Sequence, residues 1–349
     1  MTKKVIHVLG KMDAGGVETW LVNLLKNTDP TQIQHEFLLQ KSGKGFYDDE
    51  VLQAGGKIHY CLNNGNPFIY ALNLFKVLKK LRPDIVHSHV YTFSGFIVLI
   101  SFLARIKNRV VHSHTDKKIN AIYLFLMRIL INLFANKKIA VSKSAGIALF
   151  GNLEKVFVLP CGVDIQKYNS CNINENMRMH FKMPSEAIIL GHVGRFFEAK
   201  NHNFIIDIFN ELYVKNNIYH LVLIGDGELK GKVIERVKKL KLESNVHFLG
   251  LRKDANTFMN GCFDIFLFPS LWEGLGLVAV EAQIAGLHCI ASNMVPKEVD
   301  LGNIEFLALD KKQWIKSIKA KKNDSYPSSY NGFDIVSNLS SLIEIYGLD

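Results

Sequence analysis

Thirteen short, β-rich apolar runs alternate with helix-like stretches along the whole chain. VIHVLG, HEFLLQ, KIHYCL, DIVHSH, RVVHSH, KIAVS and VFVLP fill the first half; AIILGHVG, HLVLIGDG, VHFLG, DIFLFPS, HCIAS and IEFLAL fill the second. Parallel strands need long crossovers, usually helical, and stretches such as Asn201 to Val214 and Gly231 to Leu240 supply them. The rhythm therefore predicts an α/β protein with two doubly wound, Rossmann-like sheets, whose ligands bind beyond the strand C-termini. A length of 349 residues suits two domains rather than one core. The polar, Asn-rich stretch from Asp164 to Asn176 marks the expected boundary, giving domains 1–165 and 166–328 and a final segment 329–349.

Net charge is +10, and all of the excess lies in the first half: residues 1–165 hold 21 Lys and Arg against 11 acids, the remainder 21 against 21. That asymmetry points to an anionic partner for the first half or to general solubility. Five cysteines, Cys61, Cys161, Cys171, Cys262 and Cys289, form no CxxC pair or metal spacing, as expected of reduced cytosolic thiols. MTKKVIHVLG runs directly into a strand rather than a signal peptide. Phe96 to Ala104 is too short to span a bilayer, and Ile119 to Ala135 is interrupted by Arg128 and Asn132, so no transmembrane helix is expected.

Three segments carry chemistry. Asp13-Ala14-Gly15-Gly16-Val17-Glu18 joins a strand to a helix, where bare glycine backbone and free helix amides suit a phosphate or sugar, or simply form a turn. It has neither GxGxxG spacing nor a P-loop lysine. Gly194-Arg195-Phe196-Phe197-Glu198-Ala199-Lys200-Asn201 sets two cations at a strand mouth, a pairing suited to a diphosphate, against the plainer reading of a solvated loop. Ser270-Leu271-Trp272-Glu273-Gly274-Leu275-Gly276-Leu277-Val278-Ala279-Val280-Glu281 is the most specific: one carboxylate in the loop and one about two turns into the helix can line a ligand at different depths.

These residues resemble the retaining GT-B glycosyltransferases usually numbered family four, over nearly the whole chain. SLWEGLGLVAVEA matches the family's EGFGL loop and Glu-x7-Glu spacing, GRFFEAKN its Gly-Arg with a following Lys, LIGDGEL its glycine-Asp-glycine strand end, and GGVE its early glycine turn. The ending HCIASNMVPKEVDLGNIEFLALD replaces the common Gly-Gly-x-x-Glu segment and resembles a subgroup of capsular and extracellular polysaccharide assembly. The resemblance implies two domains facing across a cleft, the C-terminal one holding the donor and the last helix crossing back to the first. It implies Glu281 on the nucleotide ribose, Glu273 on donor sugar hydroxyls, Arg195 and Lys200 on the diphosphate, and the Gly274-Leu275-Gly276-Leu277 backbone beside them. Gly15 and Gly16 would approach donor and acceptor.

The family often carries a histidine at the mouth of the first domain, which favours His114 over His112 as a donor-sugar contact, while His87 and His89 read as supporting or core residues. Glu273 and His114 are thus the candidate catalytic residues. The implied activity is front-face transfer with retention, from a nucleotide-diphosphate sugar, a UDP-sugar favoured, to a saccharide or polyprenyl-linked acceptor. Protein cations neutralise the leaving group, so neither metal nor cofactor is expected. Lys117, Lys118, Lys137, Lys138 and Lys143 bracket the apolar stretch Ile119 to Ala135, which reads as a buried helix or as an interfacial one on an anionic membrane. The expected location is cytoplasmic, peripheral at the inner membrane face. A nucleotide-sugar epimerase on the same fold is the alternative; a basic nucleic-acid-binding module lacks any recognised motif, and no nucleic-acid partner is expected.

Overall fold

The computed structural model describes residues 2–62, 65–117, 119–169, 178, 184–320, 326–330 and 332–348. Lys118 and Cys171 lie outside them. The chain divides into two compact units, Met1–Val163 with Gly332–Asp349, and Asp164–Asn331.

In the first unit, strands β1 (Lys3–Leu9), β2 (Ile33–Leu39), β3 (Lys57–Tyr60), β4 (Ile85–Ser88), β5 (Asn108–Ser113), β6 (Lys137–Ala140) and β7 (Val156–Val158) form one sheet in the order β3-β2-β1-β4-β5-β6-β7. Helices α1 (Gly16–Asn27), α2 (Asp48–Gln53), α3 (Pro67–Leu81), α4 (Ser94–Leu103), α5 (Ala121–Phe134) and α6 (Lys143–Phe150) make the crossovers. Local chemistry sets their starts. Asn66 and Asn120 accept backbone N–H groups at the heads of α3 and α5, and Ser142 does so for α6, answering donors that a helix leaves unpaired.

The second unit opens with the short helix α7 (Gln166–Asn169). Strands β8 (Ile188–Val193), β9 (Tyr219–Ile224), β10 (Val246–Gly250), β11 (Ile265–Phe268), β12 (His288–Ser292) and β13 (Ile304–Leu307) follow in the order β10-β9-β8-β11-β12-β13. Helices α8 (His202–Lys215), α9 (Lys230–Lys239), α10 (Ala255–Gly261), α11 (Leu277–Ile284) and α12 (Lys311–Lys319) connect and cover them. Every described strand pair in both sheets is parallel. Strand order reverses at β1/β4 in one sheet and β8/β11 in the other, the positions where doubly wound sheets open a crevice.

The last helix, α13 (Ile335–Tyr346), belongs to the first unit. Its Asn338 accepts from the Trp20 indole at 2.8 Å and donates to the Pro160 carbonyl, while its Tyr346 hydroxyl pairs with His87 Nδ1 at 2.7 Å. No helix of the described residues is long and apolar enough to cross a membrane.

Packing of the second sheet depends on a missing side chain. A Cβ on Gly191, in β8, would lie 2.1 Å from the buried Phe263 ring. Gly191→Ala is therefore expected to destabilise the second unit by about 1–3 kcal/mol. Phe263→Leu on that background should return part of the loss, read as Tm by calorimetry; additive losses in the double variant would rule out the clash.

Candidate functional site

The second unit gathers its candidate residues around the β8/β11 reversal. His192, on β8, donates Nδ1–H to the Leu267 carbonyl of β11 at 2.8 Å, bonding the two strands where the order turns. The loop after β8 then meets the loop after β9 backbone to backbone. A Cβ on Gly225 would lie 2.0 Å from the Gly194 carbonyl oxygen, and one on Gly227 2.5 Å from the Phe196 carbonyl oxygen, so the Gly-Asp-Gly segment admits nothing larger. Phe196 N–H donates to Asp226 O at 2.9 Å, closing the two loops together.

That junction sets the cations. Lys200 Nζ lies 2.5 Å from Glu273 Oε1 and 4.8 Å from the Phe268 ring centroid, largely shielded from solvent, whereas Arg195 is exposed. Leu271 N–H donates to Ala199 O at 2.7 Å and fastens the loop after β11 beside the loop after β8. A low-dielectric setting strengthens the Lys200–Glu273 attraction and holds both heads in place. Gly276 takes φ +94° at the head of α11, a conformation that favours glycine. Leu275 and Leu277 bury their side chains in the core, so only their backbone can serve a ligand. Glu281, half-buried on α11, has its carboxyl pushed up to about 7 by desolvation, with Lys167 pulling the other way. His202, beside this loop, stacks on Phe196 at 4.0 Å and is held down to about 2, chiefly by burial.

In the first unit the glycine turn differs from a bare anion site. Gly15 caps α1, and a Cβ there would lie 2.4 Å from Glu18 Oε2, so the Glu18 carboxylate already occupies the helix head. An incoming anion meets that negative charge first.

In the sequence His112 stands with His114 and His87 with His89, and what joins the pairs appears only in the sheet. Parallel register sets His7 beside His87, and period-2 alternation puts His35, His7, His87, His89, His112 and His114 on one face of the sheet. Trp20 of α1 presents its ring to His87, His89, His112 and His114 at centroid distances of 5.3 to 6.5 Å. Burial holds all six imidazoles below their ordinary range, His35 at about 4 and His114 at about 3, so they are neutral near pH 7. Two triads sharing His89, namely His7-His87-His89 and His89-His112-His114, bring three ligand atoms within 4.8 Å of one another. The only available signal was alternate-residue spacing of histidines in adjacent runs, and it gives no register.

A profile of the family described as "Glycosyl transferases group 1" matches residues 174–302, and one described as "Glycosyltransferase Family 4" matches 14–167. The chain is 33% identical to the protein called "Putative glycosyltransferase EpsF" of Bacillus subtilis (strain 168), over 99% of this chain and 97% of that one. It is 29% identical to the Staphylococcus aureus "Capsular polysaccharide biosynthesis glycosyltransferase CapH", covering 98% of each. Escherichia coli "UDP-Gal:alpha-D-GlcNAc-diphosphoundecaprenol alpha-1,3-galactosyltransferase" is 26% identical, with 79% of this chain and 78% of that one covered. The fold is similar to that of Anabaena Alr3699/HepE, solved in complex with UDP and glucose, with TM-score 0.85, 20% identity and 99% of each chain covered.

The Glu281 carboxyl generates a stability signature. Its folded pKa of about 7 stands above the ordinary 4.5, so the folded state holds the proton more tightly and this stabilisation is full below 4.5 and lost as pH rises to 7. Glu281→Gln should match the parent near pH 4.5 and exceed it by on the order of 2 kcal/mol at pH 8, once residual exposure is allowed for. Calorimetry across that range checks it; parallel Tm curves would contradict a raised Glu281.

Proposed function

The chain belongs to the group 1 glycosyltransferases, and from that membership we propose that it is a retaining, metal-independent enzyme. It moves a sugar, a UDP-sugar being the favoured donor, onto a saccharide or polyprenyl-linked acceptor in cell-surface polysaccharide synthesis. The observation that carries the donor half is the Lys200–Glu273 pair at the β8/β11 reversal, with Arg195 on the loop that leads to Lys200 and Glu281 on the helix that follows. Support for the donor class comes from HepE, solved with UDP, and from the E. coli relative named for UDP-Gal.

In this reading Arg195 and Lys200 neutralise the diphosphate as the glycosidic bond breaks, helped by the amides of Gly274, Leu275, Gly276 and Leu277. When the Lys200 ammonium pairs with the phosphate instead, Glu273 is free to accept from donor hydroxyls and to steady the oxocarbenium-like centre. Glu281 accepts from the ribose hydroxyls. Gly15 and Gly16, whose helix head already holds a carboxylate, offer close approach to neutral sugar, and His114 is assigned a hydrogen bond to a sugar hydroxyl. Attack comes from the face that the diphosphate leaves, so the product keeps the donor's anomeric configuration.

Glu281→Ala and Arg195→Ala are expected to weaken UDP binding by about 10-fold or more, since hydrogen bonds to charged groups contribute roughly 1.5–3 kcal/mol. Glu273→Ala should chiefly lower kcat. A panel of UDP-sugars with a lipid-linked acceptor, read by calorimetry and by anomeric NMR coupling of the product, tests these together. An inverted product would overturn retention, loss of turnover in EDTA the metal independence, and sugar isomerised without acceptor would indicate an epimerase.

The same enzyme is proposed to sit on an anionic membrane through α5. What supports this is the direction its residues face. Ile122, Phe125, Leu126, Ile129 and Leu133 form an exposed apolar stripe, Ile122 at 73% and Leu133 at 68%, and only Ile131 of this helix is buried. The polar side chains of this helix are held by neighbours: Arg128 donates to the Leu149 and Ala148 carbonyls at the end of α6, and Asn132 accepts from Lys138. Lys117, Lys137 and Lys143 complete a basic surround, and about 1 kcal/mol per nearby cation plus apolar insertion gives reversible attachment. Phe125→Ser with Leu126→Ser should abolish sedimentation with phosphatidylserine vesicles, and Lys137→Gln with Lys138→Gln should weaken it and its salt dependence. Equal recovery on neutral and anionic vesicles would remove the anionic surface from the reading.

A further inference from the structure

Four of the six histidines on this face are joined head to tail. His35 Nδ1 lies 2.8 Å from His7 Nε2, His7 Nδ1 3.0 Å from His89 Nε2, and His89 Nδ1 2.9 Å from His114 Nε2. The row ends on Thr28 Oγ1, 3.1 Å from His35 Nε2, and on Cys161 Sγ, 3.9 Å from His114 Nδ1. It climbs from the buried His35 and His7 to the half-buried His89 and His114 at the C-terminal ends of β4 and β5.

A neutral imidazole has one N–H and one lone pair, so each ring that donates at one nitrogen must accept at the other. The whole row then has only two consistent settings, all Nε2–H or all Nδ1–H. The Thr28 hydroxyl has a single proton and lies 2.7 Å from the Leu24 carbonyl, which can only accept. Thr28 therefore receives its hydrogen bond from His35 Nε2–H. His35 Nδ1 is then an acceptor for His7 Nε2–H, His7 Nδ1 for His89 Nε2–H, and His89 Nδ1 for His114 Nε2–H. The far end agrees: burial raises the Cys161 thiol, so it keeps its proton and can donate to His114 Nδ1.

We propose that Thr28, His35, His7 and His89 form a directional hydrogen-bond row that locks His114 as its Nε2–H tautomer and leaves its Nδ1, beside the Cys161 thiol, unprotonated as an acceptor. At 3.9 Å the thiol is a weak occupant of that lone pair, and a ligand hydroxyl donates to it more strongly. His114 thus reads a hydroxyl as a donor and has no N–H left to offer. Thr28, His35, His7 and His89 are positioning residues, acting through His114. The importance of this for sugar transfer rests on the function proposed above; the tautomers themselves do not.

Long-range proton–nitrogen NMR of the nucleotide-free protein decides it, because protonated and unprotonated ring nitrogens resonate far apart. The expected spectrum has protonated Nε2 and unprotonated Nδ1 at His35, His7, His89 and His114. Thr28→Val keeps the side-chain shape but removes the acceptor, and should convert His114 to a mixture of tautomers; Thr28→Ser should restore the single form. If Thr28→Val does not fold, the parent spectrum still gives the answer. Protonated Nδ1 at any of the four, an unchanged His114 in folded Thr28→Val, or one zinc per chain by elemental analysis with the Nδ1 lone pairs on the metal would overturn the row. Loss of transferase activity with the tautomers intact would instead count against the glycosyl-transfer reading alone.

Discussion

Parallel pairing is the constraint on which this molecule depends. Each strand must return to the same end of the sheet before it can pair, so all of the strand C-termini, with their loops, line one edge. At the two reversals of strand order neighbouring loops leave in opposite directions, and the edge opens. The candidate donor residues of the second unit and the histidine row of the first both lie at such reversals, although their side chains share no chemistry. One backbone rule has made room twice, and the side chains have used it differently.

The two edges also treat charge differently. In the second unit the Lys200 ammonium and Glu273 carboxylate are withdrawn from water as a pair, each answering the other. In the first, six ionisable rings are withdrawn with no carboxylate among them, and they stay neutral instead. The first arrangement suits a site that must accept an anion, because a preformed cation waits with a displaceable partner. The second suits a neutral, hydrogen-bonding surface in which ring orientation rather than charge carries the information.

Much of the architecture was legible in the sequence, since all thirteen apolar runs become strands and α8 and α9 begin within a residue of their expected starts. Strand periodicity is local chemistry, and local chemistry is what a sequence displays. The histidine row was not legible, because VIHVLG, HEFLLQ, DIVHSH and RVVHSH become neighbours only through register, and β2 lies on the opposite side of β1 from β4. Likewise GGVE reads as an open anion site until Glu18 folds back over its own helix head. The stretch Ile119 to Ala135 had its apolar content in plain view, but whether that content faced inward depended on where Arg128 found its carbonyls. The loop Trp272 to Leu277 was recognisable from residue types, whereas the burial of Leu275 and Leu277 followed only from packing.

The order in which the parts are synthesised matters for a chain divided in this way. Asp164–Asn331 is continuous in sequence, so it can complete its core while still attached to the ribosome. The first unit is begun earlier yet finished later: Trp20, His87 and the Pro160 carbonyl wait for Asn338 and Tyr346, which follow the whole of the second unit in sequence. Until then a row of neutral imidazoles and the indole beside them lack their last covering helix. A premature stop near residue 330 would spare the second unit while leaving the first without its closing helix.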